Sequence, residues 1–351
     1  MSYQFFRPLL FQLNPESAHR FSLAALDQLT RLGLLPHTVI DCQPRNVMGL
    51  TFPNPVGLAA GLDKNGEHLD ALARLGFGFI EIGTVTPRPQ PGNPAPRLFR
   101  VPEANAIINR LGFNNHGVDR LIENVTQSSY RGILGINIGK NFDTPIDRAA
   151  DDYLTGLHKV YRYASYVTIN ISSPNTKNLR DLQSTGALDR LLNQLKSAQQ
   201  ELSQSHGKYV PVAVKIAPDL DTAQIESIAA LLLKHRMDGV IATNTTLSRE
   251  GIAHLPVAQE SGGLSGAPLK QRSTTIVQQL HGFLQNAIPI IGVGGIQSVA
   301  DAKEKLAAGA SLIQLYTGLI YHGPGLIRTI AQGLCADQIS PSSNSHESTT
   351  D

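Results

Sequence analysis

Tryptophan is absent, cysteine occurs twice, and aromatic residues make up only 6% of the 351 positions. No basic segment interleaves with aromatics, so a stacking platform for single-stranded nucleic acid is excluded. An excess of one charge is missing too: 30 Lys and Arg face 28 Asp and Glu, a formal net charge of +2. That balance does not suit a chain that coats nucleic acid, and no nucleic-acid partner is expected. No apolar run reaches the roughly 20 residues of a spanning helix. With 41% hydrophobic and 17% charged residues and a mean hydropathy of -0.10, the composition excludes both a polytopic membrane protein and a highly charged disordered chain. Cys42 and Cys335 form neither a CxxC pair nor a metal-spaced cluster, and they read as free thiols of a reducing compartment. HExxH, GxSxG and clustered Cys/His ligands are all missing, so no metal is expected.

The amino terminus is where apolar residues gather. Phe5, Phe6, Leu9, Leu10, Phe11 and Leu13 surround Arg7 and Pro8, and Phe21, Ala24, Ala25, Leu29 and Leu32 then recur at helical spacing. Asn14 is placed to cap and Pro15 to occupy a first turn, so two short helices joined at Asn14 are expected. No small-residue cleavage site follows the apolar cluster, which predicts a chain that stays in the cytoplasm. The apolar face either packs on the main domain or meets the edge of a bilayer, with Arg7, Arg20 and Arg31 for anionic head groups. Patterning alone leaves both open.

From Asn54 onward, eight short apolar runs alternate with helical patterns: 55–60, 79–83, 133–138, 166–171, 210–216, 239–244, 288–294 and 311–316. Intervening helices are expected over 67–75, 146–163, 186–203, 222–235, 270–285 and 299–308. Continuous apolar strands covered by crossover helices belong to parallel sheets, so a (β/α)8 TIM barrel with a small N-terminal helical extension is expected. A doubly wound open sheet uses the same units, and periodicity does not exclude it.

Polar residues recur at the carboxyl ends of these runs: Lys64, Thr84, Asn137, Asn170, Ser173, Lys215 and Thr243 to Thr245. Each alone reads as a satisfied buried group; in a barrel such strand ends converge on one mouth. Gly292, Gly294 and Gly295, followed by Tyr316 and Thr317 after the last run, make a turn able to cradle a phosphate. The order is not that of a dinucleotide-binding fingerprint.

Taken in order, NPVGLAAGLDKNG (54–66), EIGTVTPRPQPGNPAPRLFR (81–100), INRLGFNN (108–115), GINIGKN (135–141), NISSPNTKNLR (170–180), VKIAPDL (214–220), ATNTTL (242–247), GGLSG (262–266) and GVGGI (292–296) resemble the dihydroorotate dehydrogenase family, specifically its membrane-associated, quinone-using class 2. The resemblance runs nearly the whole chain, to about Cys335.

It implies an FMN enzyme on a TIM barrel that oxidises dihydroorotate to orotate in pyrimidine biosynthesis and passes the electrons to a membrane quinone. FMN contacts carry over to Ala60, Gly61, Lys64, Thr84, Asn137, Asn170, Lys215, Thr243, Gly266, Gly295, Tyr316 and Thr317. Substrate contacts carry over to Lys64, Asn109, Arg110, Leu111, Gly112, Phe113, Asn114, Asn170, Asn175, Asn244 and Thr245. Ser173 stands at the position of the base, where class 1 enzymes carry cysteine, and Phe113 and Thr176 match residues of a proton exit. His19 and Arg100 match polar groups of the quinone site. The resemblance also implies peripheral contact with the lipid bilayer at the cytoplasmic side of the cell membrane, with no iron–sulfur partner subunit. The expected division is residues 1–40 as the membrane and quinone-access module, 41–337 as the FMN-binding barrel and 338–351 as a flexible polar tail.

Overall fold

The computed structural model describes residues 3–339. Two helices come first, α1 (Tyr3–Gln12) and α2 (Pro15–Arg31), followed by the hairpin β1 (Arg45–Val47) and β2 (Leu50–Phe52). The chain then runs through β3 (Val56–Leu58), α3 (Leu69–Ala73), β4 (Phe79–Val85), β5 (Leu98–Val101), β6 (Ala106–Asn109), α4 (Val118–Gln127), β7 (Ile133–Ile138) and α5 (Ala149–Val160). It continues with β8 (Tyr166–Asn170), α6 (Thr185–His206), β9 (Val212–Ile216), α7 (Thr222–Lys234), β10 (Gly239–Ala242) and β11 (Gly263–Gly266). The last elements are α8 (Lys270–Leu284), β12 (Ile290–Val293), α9 (Val299–Ala307), β13 (Leu312–Leu315), α10 (Thr317–His322) and α11 (Gly325–Ile339).

Strands β3, β4, β7, β8, β9, β10, β12 and β13 pair in chain order, every pair parallel, and β13 closes on β3 through Ile313 to Val56. The open-sheet alternative is thereby excluded, and each of the eight apolar runs contributes one barrel strand. Crossover helices cover the outside, which explains why these strands are buried on both faces and lack polar alternation. Inside the barrel, Phe79, Tyr166, Ala213, Ile241, Ile291 and Leu312 form a second cluster that also takes in Val47 and Phe52 of the hairpin. The Phe52 and Phe79 rings meet edge to face at 5.1 Å, so the hairpin stoppers one end of the barrel and chemistry is left to the other.

A smaller antiparallel sheet of β5, β6 and β11, with Gly263 opposite Asn109 and Leu98 opposite Asn109, has its own core of Val101, Ala106, Ile108, Ile252, Ala258 and Leu264. These strands fall outside the eight expected runs, because each is four residues long and too short to carry a period. Helices α4 and α11 were missed for related reasons. Helix α4 is preceded by Gly117, which has no side chain to cap it, and α11 carries Gly325 and Gly333, which weaken a helical pattern. The long helix expected over 146–163 begins as a 3-10 turn, Ile146–Arg148. The tail expected from 338 starts within α11, which reaches Ile339; the rest of it lies outside the described residues.

The amino-terminal pair forms as expected, with the Asn14 side chain accepting from the backbone N–H groups of Glu16 at 3.0 Å and Ser17 at 3.4 Å. Part of its apolar stripe packs on the barrel, through Leu23 and Leu26, and part faces outward. Tyr3 donates to the Ile320 carbonyl at 2.6 Å, Glu16 pairs with Arg97 at 3.0 Å and His68 bonds Asp27 at 2.7 Å, which docks the pair on the barrel. On the outward face Phe5, Leu9 and Phe21 are 80%, 63% and 60% exposed. One expectation is overturned: Cys42 and Cys335 are joined in a disulfide across 293 residues of sequence. Folding brings the linker after α2 against α11, a closeness that spacing in the sequence does not reveal, and cysteine usage no longer argues for a reducing compartment.

Replacing the cap by Asn14→Ala should cost about 1 kcal/mol of local stability. Hydrogen exchange of the first α2 amides should quicken roughly fivefold while the barrel strands stay unchanged; equal quickening in both would show that the helix does not open by itself.

Candidate active site

The carboxyl ends of the barrel strands open into a cleft lined by residues from β4, β6, β8, β9, β11, β12 and β13 and from the loops between the elements. Of the expected FMN contacts, Ala60, Gly61, Lys64, Thr84, Asn170, Lys215, Thr243, Gly266, Gly295, Tyr316 and Thr317 line it together. Asn109, Leu111, Gly112, Phe113, Ser173, Asn175, Asn244 and Thr245 line it as well. Sequence reasoning missed Ser265, Leu269, Ile296 and Gln314 on the same walls.

Six expected residues stand elsewhere, the first of them Asn114, which follows Phe113 but is not on the cleft wall. Asn137 is fully buried behind Thr84, whose hydroxyl donates to it at 2.6 Å. The Arg110 guanidinium bonds Glu260 at 2.6 Å and the Pro96 carbonyl at 2.8 Å, and stacks over Phe99; only its backbone neighbours reach the cleft. Arg100 donates to the carbonyls of Phe11 and Leu13 at 3.1 and 3.0 Å and lies over the Phe11 ring, satisfying the free end of α1. His19 faces the Leu62–Lys64 segment and His68; burial and the Lys64 charge push its pKa down to about 4, so it is neutral at pH 7. Thr176 is buried, and its hydroxyl has no hydrogen-bond partner.

Beneath the cleft lies a group whose role the sequence did not disclose. Glu81, from β4, is fully buried and accepts three hydrogen bonds of 2.8 Å, from Asn137 Nδ2, Tyr166 Oη and Gln314 Nε2. An ionised carboxylate only accepts. Asn137 must therefore turn its NH2 downward and its oxygen upward, where it takes bonds from Thr84 Oγ1 and from Asn170 Nδ2 at 3.2 Å. That in turn points the Asn170 oxygen toward Ser172 and Asn244, whose Nδ2 donates to Ser172 Oγ at 3.0 Å. One buried acceptor thus sets the direction of a chain of amides up to the cleft. Burial draws the pKa of Lys215 down, and the Glu81 charge opposes that fall.

The residues present fit a flat, polar ring system bearing a phosphate. Asn114 Oδ1, Thr176 Oγ1 and Thr245 Oγ1 are buried without protein partners, so they offer hydrogen bonds to something the protein does not supply. At Gly61, φ is +110°, and an added Cβ would stand 3.2 Å from the Tyr316 ring. Gly295 has φ +75° and passes so close to α8 that a Cβ would stand 2.4 Å from Lys270 Cα; backbone N–H groups are left free to approach an anion. Lys64 supplies a positive charge on the rim, its pKa drawn down to about 8 by burial and by Arg97. Ser173 is buried and its Oγ accepts from the Asn175 N–H at 3.2 Å, with no histidine or carboxylate bonded to it among the described residues.

The comparisons agree with this architecture. A family profile described as dihydroorotate dehydrogenase matches residues 44–337. A dihydroorotate dehydrogenase (quinone) of Nitrosospira multiformis is 66% identical over 335 residues, covering 95% of this chain and 96% of that protein. Its counterpart from Nitrosomonas eutropha is 65% identical over 336 residues, 96% of this chain and 98% of that one. Among solved structures, the DHODH of Eimeria tenella in complex with ferulenol superposes with a TM-score of 0.85 at 39% identity, covering 94% of this chain and 93% of its own.

Replacing Glu81 by leucine would leave three buried donors without their acceptor. Chemical denaturation should show a loss of about 3 kcal/mol or more, and a loss under about 1 kcal/mol would mean that the donors re-pair without it.

Proposed function

We infer, from its place in the dihydroorotate dehydrogenase family, to which this chain belongs, that it oxidises (S)-dihydroorotate to orotate in pyrimidine biosynthesis, with FMN as cofactor and a membrane quinone as final oxidant. The relatives that carry this assignment cover 95% and 96% of this chain. Its membrane association is peripheral. No described helix is long and apolar enough to cross a membrane, and the exposed face of α1 and α2 supplies the apolar contact. Our reading places that contact on the cytoplasmic side, where orotate enters nucleotide synthesis.

The roles of individual residues are our own assignment. FMN supplies, when bound, the hydride acceptor and the path by which electrons leave for quinone. Ala60, Gly61, Thr84, Asn137, Asn170, Thr243 and Gly266 hold its ring and ribityl chain, directly or through one another, and Gly295, Tyr316 and Thr317 hold its phosphate. Lys215 favours negative charge at the ring edge that it faces. Lys64 pairs with the substrate carboxylate. Asn109, Asn114, Asn175, Asn244 and Thr245 match the donors and acceptors of the pyrimidine-dione ring, Asn114 and Thr245 through atoms the protein leaves unpaired. Leu111, Gly112 and Phe113 close the cleft over it. For Arg110 we assign only a supporting role, since its side chain is engaged with Glu260.

Ser173 takes the proton from C5 as the hydrogen on C6 leaves with its electron pair. A serine hydroxyl is a weak base, so it needs somewhere to pass its own proton. The unpaired Thr176 hydroxyl, a few residues further along the same loop, offers that exit through a water, with the Phe113 ring keeping bulk solvent away. His19, neutral at pH 7, and Arg100 lie at the join between the helical pair and the barrel, which suits a polar end to a quinone passage. The division into residues 1–40 for quinone access and 41–337 for chemistry follows from this placement.

Anaerobic addition of dihydroorotate to the flavin-bound enzyme should bleach the flavin band, and a spectrum that stays oxidised would sink the assignment. Ser173→Ala should keep its flavin yet bleach at least a hundredfold more slowly near neutral pH; wild-type speed would remove Ser173 from the base role. Lys64 must be protonated to hold a carboxylate, and ligand binding raises its pKa above about 8. Orotate affinity, followed by the flavin spectrum, should therefore hold steady below about pH 8 and weaken above it by up to tenfold per unit. Lys64→Met should abolish that slope, and an identical slope in the variant would assign it to another group.

A further inference from the structure

One fully buried cation is not used by the reaction. Lys305, from α9, is 0% exposed and lies beneath the glycine turn that follows β12. Its stem passes so close under Gly292 that a Cβ there would stand 2.5 Å from Lys305 Cγ. Its ammonium donates to Thr274 Oγ1 at 2.8 Å, to Ser273 Oγ at 3.0 Å and to the Lys270 carbonyl at 3.4 Å. Ser273 Oγ in turn donates to the Val293 carbonyl at 2.5 Å, at the base of the Gly294–Gly295 turn. All three acceptors are neutral. The carboxylates nearest on its own helix, Asp301 and Glu304, bond instead to Lys270, at 3.0 and 3.2 Å. A buried ammonium without a bonded carboxylate is costly unless an anion comes near, and the turn above it is where our reading puts the phosphate.

We propose that Lys305 is a buried positioning residue for the FMN phosphate: it braces the glycine turn through Ser273 and takes up a proton from solvent when the phosphate binds. The proposal rests on the phosphate lying at Gly295, Tyr316 and Thr317. Burial lowers the Lys305 pKa to about 7, with Lys270 adding to the fall and Glu304 and Asp301 opposing it; these are the charged groups that face it. An anion above the turn raises that pKa. Cofactor binding then gains from Lys305 in full below about pH 7, and loses the gain as pH climbs through the raised value.

The test is a competition. Flavin-bound enzyme is equilibrated with mixtures of FMN and riboflavin, which lacks the phosphate, and the bound flavin is identified after desalting. The same is done with Lys305→Met, and with Lys305→Gln, which keeps a donor for Ser273 but no charge. The readout is the wild-type preference for FMN divided by the variant's, since the phosphate's own ionisation cancels in that ratio. At about pH 6 the ratio should be at least about tenfold for both variants, and toward about pH 8.5 it should shrink. A ratio near one at every pH overturns the proposal, as does a ratio that ignores pH or a Gln variant that keeps the wild-type preference. A wild-type enzyme that does not prefer FMN to riboflavin would instead overturn the phosphate placement itself.

Discussion

A carboxylate sealed inside a closed parallel barrel can only accept hydrogen bonds, and the order of the site follows from that constraint. Glu81 is fully buried within the barrel, and three donors converge on it. Because it cannot donate, Asn137 has one orientation, and Asn170, Ser172 and Asn244 inherit theirs. A cleft lined by amides that could flip would meet a pyrimidine-dione and a flavin with the wrong pattern half the time. Fixing the pattern from below lets the site be ordered before any ligand arrives, which is how an enzyme avoids reorganising its dipoles during the reaction. The same anion opposes the fall in pKa that burial imposes on Lys215.

The two ends of the barrel divide the remaining work. The β1–β2 hairpin fills one end with Val47 and Phe52, and the other carries the small sheet and the helical pair. Helix α2 docks through Glu16 to Arg97 and Asp27 to His68, and α1 through Tyr3 and the grip of Arg100 on its last carbonyls. Leu23, Leu26 and the Phe11 ring add apolar contacts to these polar ones, which leaves Phe5, Leu9 and Phe21 outside. In a water-soluble chain such a face is a liability; on our proposal it meets a bilayer edge and reaches an oxidant dissolved in lipid.

The barrel could be read from the sequence because every one of its strands is buried on both faces, and continuous apolar runs are the signal of that burial. The mouth could be read because polar residues such as Lys64, Asn170 and Lys215 end those runs. What escaped were features that exist only once the chain is folded. Glu81 is a lone charge within an apolar run, and only barrel closure places Tyr166 and Gln314 against it. The three strands of the small sheet are too short to carry a period, and the meeting of Cys42 with Cys335 depends on where α11 ends up. Arg110 and Arg100 belong to the right motifs, yet their long side chains find other acceptors in Glu260 and in α1.

The central claim is that the exposed apolar face of the helical pair delivers lipid-borne quinone to a barrel that is otherwise complete. Phe5, Leu9 and Phe21 are the outermost of its side chains, so replacing all three by serine leaves the packed faces intact. Enzyme reduced by dihydroorotate would then be reoxidised either by a long-chain quinone held in lipid vesicles or by a short-chain analogue dissolved in water. The account predicts that the triple variant is reduced at the wild-type rate, reoxidised normally by the soluble analogue and at least about tenfold more slowly by the vesicle-borne quinone. Equal rates with both quinones, or an equal loss with both, would contradict it.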